Sequence, residues 1–118
     1  MNVAYMEQLQ KEATEKKLDS RAKWMLLRAD LVGENTAFVH DPEFDSTADA
    51  VGFAQQLSLA GINELYVSSS WSNQMDNWMA MDSFGLKLRG IESIKNPAHE
   101  RNNLAPEFVP AFRFSFKD

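Results

Sequence analysis

Four carboxylates and a histidine crowd one short stretch of this chain. In VHDPEFDSTADAVGFAQQL, Val39 to Leu57, His40 stands beside Asp41, Glu43 and Asp45, and Asp49 follows soon after. Two chemistries could use such a stretch. An apolar strand, a turn and a helix form the entrance to a nucleotide-type site, where glycine and a helix N-terminus hold phosphate. Alternatively, imidazole and carboxylates at a strand end converge on a divalent ion. The first reading lacks its glycine and its basic residue. The second has the composition of an ordinary turn rich in Asp and Pro, so no metal is expected. Ser68, Ser69 and Ser70 near His40 suggest a nucleophile, yet the chain has no Gly-x-Ser-x-Gly elbow, and serine before a helix is a cap first.

The elements that must position these residues follow from periodicity. Val3, Met6, Leu9 and Ala13 fall at spacings of three and four, which predicts a helix over Asn2 to Lys17. WMLLRADLVGENTAFVH reads as two β runs, Trp24 to Leu31 and Thr36 to His40, joined at Gly33-Glu34-Asn35, where positive φ is tolerated. Thr47 to Ala60 has helical spacing, with Gly61 placed for a left-handed cap. ELYVSSS is then a strand parallel to Thr36–His40 through a crossover, so two strand ends should diverge beside the acidic turn.

Trp71, Met75, Trp78, Met79 and Met81 mark a short helix, capped by Ser72 or Ser70 and stopped at Gly85. LKLRGIESI is a strand and KNPAHERNNLAPEFVP a polar loop. AFRFSF places Phe112, Phe114 and Phe116 on one face of a last strand. The expectation is a small mixed-sheet α/β domain filling 1–118, in the order helix, β, β, helix, β, helix, β, loop, β.

Composition narrows the classes. Seventeen acidic residues against twelve basic give a net charge of −5, which argues against a nucleic-acid backbone as partner. The absence of cysteine excludes disulfides, thiolate nucleophiles and Cys-ligated zinc. No apolar run reaches the roughly 18 residues of a membrane span, and no signal-peptide core follows Met1. Together these point to a cytoplasmic protein, or one carried in a virion. Trp24, Trp71, Trp78 and the Phe face exceed what a small core needs, which suggests a partner surface.

VHDPEF, then Asp45 to Ala50 opening a helix, then Tyr66-Val67, Asn73, the Trp71–Met81 helix and Gly85-Leu86 resemble the Gcn5-related N-acetyltransferase superfamily over Val39 to Ile94, about half of the chain. There a strand enters a Val-x-Pro-Glu-aromatic loop, Gln/Arg-x-x-Gly-x-Gly/Ala opens a long helix, and an Asn follows the next strand. The resemblance implies an N-acetyltransferase-like fold. It also implies acetyl-CoA held by the backbone of Phe44, Asp45, Ser46, Thr47, Ala48, Asp49 and Ala50, with Asn73 where the strands splay. The tyrosine that commonly protonates the departing thiolate falls near Met81, which has no proton to give.

Asp45 replaces Gln or Arg, and Ala48 replaces glycine. A carboxylate about 5 Å from a phosphate charge costs roughly 3 kcal/mol at an effective dielectric near 20. Ser46-x-x-Asp49 reads instead as a capping-box-like helix start. The expectation is a degenerate N-acetyltransferase-like protein with no cofactor that binds a protein partner or a second copy of itself, as accessory or virion proteins of bacterial viruses do. The alternatives are an active acetyl-CoA-dependent N-acyltransferase with a small-molecule acceptor, and an acidic mimic of nucleic acid.

Overall fold

In the computed structural model, which describes residues 1–69 and 74–116, the elements run α1 (Val3–Thr14), α2 (Arg21–Arg28), β1 (Asp30–Gly33), β2 (Thr36–His40), α3 (Thr47–Leu59), β3 (Glu64–Ser68), α4 (Met75–Phe84), β4 (Lys87–Lys95), α5 (Pro97–Arg101) and β5 (Phe108–Ser115). The strands form one mixed sheet in the order β1-β2-β3-β5-β4. Only β2 and β3 are parallel; the other neighbouring pairs are antiparallel.

The strand expected from Trp24 is instead mostly helix, α2, and β1 is confined to four residues. Ser20 explains the change, because its hydroxyl accepts the Lys23 N–H at 3.3 Å and caps the first turn. Lys23, Met25, Leu26, Leu27 and Arg28 are unbranched at Cβ and lose little rotamer freedom in a helix. Ala22, Met25 and Leu26, spaced three and four apart, are buried. Trp24 points away from that stripe and is 45% exposed. The turn into β2 uses Glu34 and Asn35 without positive φ.

α3 joins the parallel strands, and register runs unbroken from Thr36 opposite Glu64 to His40 opposite Ser68. Ala50, Phe53, Ala54 and Leu57 on α3 are fully buried over Ala37, Val39, Leu65 and Val67. Each large side chain so buried contributes roughly 1.5–3 kcal/mol. Gly61 ends the helix at φ 73, as its position predicts, and an added Cβ there would lie 3.0 Å from the Asn2 backbone nitrogen.

α4 covers the other half of the same sheet face. Trp78 packs on Phe112 and Phe114 with ring centroids 5.8 and 5.3 Å apart, and Phe84 meets Phe116 edge-on. The Phe face is therefore core. The helix starts at Met75; Trp71 and the caps expected at Ser70 or Ser72 lie outside the described residues.

The polar loop before the last strand contains α5, and β5 begins earlier than expected, at Phe108. Pro110 is tolerated there because β3 pairs only with Phe112 to Ser115, so the first half of β5 has β4 alone as neighbour. No helix among the described residues is long and apolar enough to cross a membrane.

Candidate functional site

The acidic turn sits where β2 ends and α3 begins. Its strands do not diverge, contrary to expectation: beyond the His40–Ser68 pair, the Asp41 N–H donates to the Ser68 carbonyl at 2.8 Å. Asp41 then turns the chain at φ 46, a left-handed conformation that Asp adopts more readily than most residues. No gap opens between β2 and β3 among the described residues.

Seven of the eight residues implied as cofactor contacts can be placed, and they serve different ends. Phe44 is half-buried with its ring 6.1 Å from that of Phe53, and Ala50 is fully buried. Both belong to the core. Ala48 has no positive φ, so its methyl group is compatible with its backbone. Ser46, Thr47 and Ala48 are exposed at the first turn of α3. Asn73 lies outside the described residues.

The capping box forms only in part. Ser46 occupies the N-cap position but its side chain makes no cap hydrogen bond. Asp49 reaches back instead, and its Oδ2 accepts the Asp45 N–H at 2.8 Å. A carboxylate of the chain itself thus lies against a loop amide at the positive end of the helix, where an external anion would bind.

Arg21, from α2, completes this arrangement and was not visible as a site residue, because it stands far from the loop in sequence. Its Nη2 lies 2.7 Å from Asp45 Oδ2, its Nε 3.7 Å from Asp49 Oδ2 and its Nη1 3.6 Å from Glu43 Oε2. Three carboxylates against one guanidinium leave the cluster formally negative. Close packing of α2 on α3 sets this contact, since a Cβ at Gly52 would lie 3.3 Å from that of Ala22.

His40, Asp41 and Ser68 also meet. His40 Nδ1 is 3.3 Å from Ser68 Oγ, and Nε2 is 3.2 Å from Asp41 Oδ2. This has the composition of a catalytic triad, but cross-strand register alone brings His40 to Ser68. A cavity of about 510 Å³ opens beside His40 and Asp41, and Ser68, which is buried, does not line it. Among the described residues, no group of three or more His, Asp or Glu side chains is placed to hold a metal ion.

Comparisons with family models, with characterised protein sequences and with solved structures return no match.

Proposed function

We propose that the chain is an N-acetyltransferase-like domain whose cofactor loop is filled by its own side chains, and that it works by binding a macromolecular partner. The observation that carries the reading is the Arg21–Asp45–Asp49 cluster: the loop amide of Asp45 already has an anionic partner, and the side chains around it repel a pyrophosphate. The order of elements supports the framework. A strand enters the loop, α3 leads to a parallel strand, α4 ends at Gly85-Leu86, and two antiparallel strands joined through the short α5 segment follow. That likeness concerns fold, and fold alone is a weak guide to chemistry.

A partner surface is supported beside α4. Met75 and Met79, one turn apart, are 60% and 63% exposed. Leu88 and Ile91, opposite Phe114 and Phe112 in register, stand exposed on the same sheet face as α4. Exposed Met and aliphatic side chains of this kind are more common at interfaces than on free surface. β4 is also an edge strand with unpaired backbone groups.

Thermal unfolding with and without acetyl-CoA tests the cofactor half of the proposal: no stabilisation is expected, and a dose-dependent rise in Tm would refute it. Light scattering tests the partner half. Assembly that Met79→Glu and Ile91→Glu abolish supports it; a strict monomer that captures no protein from lysate counts against it.

A further inference from the structure

We propose that the cavity between β2 and the α5 segment binds a small carboxylic acid with an apolar or aromatic body, held through the guanidinium of Arg28. The cavity shares Pro42 and Glu43 with the turn that leads into α3, but none of the residues from Phe44 to Ala50 lines it, so the proposal does not depend on whether those residues hold a cofactor. Its volume, about 510 Å³, is within the range that encloses small organic ligands.

The walls are built by the fold. Phe38, alternating with the core residues Ala37 and Val39, turns to the side away from α3 and is 3% exposed. Met25, Pro42 and Val109 add further apolar lining. The segment between β4 and β5 closes the space and is tied to itself at Asn96, which is buried. The Asn96 Nδ2 donates to the Pro106 carbonyl at 3.0 Å, its Oδ1 accepts the Ala98 N–H at 3.1 Å, and its backbone N–H donates to the Glu107 carbonyl at 2.8 Å. Arg101 then reaches across to Asp30 of β1 with paired bonds of 3.0 and 3.4 Å. The cavity is thus preformed, which reduces the ordering cost of binding.

The ligand class follows from the charges at its rim. Asp30 is paired with Arg101, whereas Asp41 lies 3.2 Å from the His40 imidazole and Glu43 shares Arg21 with Asp45 and Asp49, so that side of the rim stays negative and the attraction for an acid comes from Arg28. Arg28, in the last turn of α2, has no ion-pair partner among the described residues. A guanidinium beside an apolar wall presents paired N–H donors that match the two oxygens of a carboxylate, while the wall removes the ligand's body from water.

Amide NMR titration of the full chain with phenylpropionate, phenylpropylamine and phenylpropanol tests this, because the three probes share a body and differ in the head group. The acid is expected to bind most tightly, shifting the amides of Arg28, Phe38 and Ala98. Arg28→Gln should weaken it at least about tenfold, the loss of one charge-assisted contact. Ala98→Phe, which fills the cavity, should abolish binding. Three results would overturn the proposal: an amine or alcohol binding as tightly as the acid, an unchanged affinity in Arg28→Gln, or no saturable shift at about 10 mM acid. If Arg28→Gln lost its native amide dispersion, the ranking of the three probes on the unaltered chain would decide.

Discussion

The Asp49 carboxylate accepts the backbone N–H of Asp45 at 2.8 Å, so the first turn of α3 is closed by the chain's own anion. A helix start that lacks a side-chain cap from Ser46 depends on this bond. Asp49→Ala is expected to cost about 1 kcal/mol of stability, and Asp49→Asn, which keeps an acceptor oxygen, distinctly less. Arg21→Gln should cost under about 1 kcal/mol and lose its effect at high salt, because the cluster is half exposed. Urea denaturation of the three variants at low and high salt checks both statements.

The helix that replaces the expected strand at Trp24 rests on Ser20. Ser20→Ala should destabilise the chain by about 1 kcal/mol, whereas Ser20→Asp should retain most of the stability. If the residues from Arg21 to Arg28 took the strand conformation that their apolar content suggests, the serine would have no cap to make and alanine would be neutral. Denaturant midpoints separate the cases.

These two sites show what could be read from the residues. The order of elements from Thr36 to Lys95, the parallel pairing across α3 and the glycine that ends it were legible, because strand alternation, helical spacing and Gly61 agree there, whereas α5 was read as loop. Trp24 to Leu31 was not: an apolar run of that length fits helix and strand alike, and the choice fell to Ser20 and to burial of Ala22, Met25 and Leu26 against α3. Pro110 hid the start of β5, since a proline is admissible there only because β3 ends short of it. At the loop, the carboxylates were evident but Arg21 was not, because nothing local links residues brought together by helix packing.

Tyr66 supplies a test that depends on pH. Burial first, and then the charges of Glu92 and Glu64, push its phenol above the ordinary range, and the Arg113 cation opposes them. The folded chain therefore keeps the phenolic proton at a pH where the unfolded chain has lost it. The stability this provides is fully present below about pH 10, the unfolded value, and is lost as pH rises through the folded one. Glu92→Gln removes the larger acidic cause and one of the two carboxylates paired with Arg113, whose Nε lies 2.8 Å from Glu92 Oε2 and whose Nη1 lies 2.9 Å from Glu64 Oε1, so the phenol should titrate at lower pH. Phenolate absorbance in the folded protein, with Tyr66→Phe as reference, measures the shift; an unmoved titration in Glu92→Gln would show that burial alone sets it.

The apolar flank of α4 and the charged start of α3 lie at different ends of the proposal, and only the second bears on catalysis. If, as proposed, Asp45 and Asp49 fill the place of a pyrophosphate, the chain has no affinity for acetyl-CoA. Calorimetric titration of the intact chain with acetyl-CoA measures this most directly. No saturable heat is expected at ligand concentrations up to about 1 mM. Stoichiometric binding with a dissociation constant in the low micromolar range would contradict it, and would mean that the backbone of this loop holds phosphate in spite of its carboxylates.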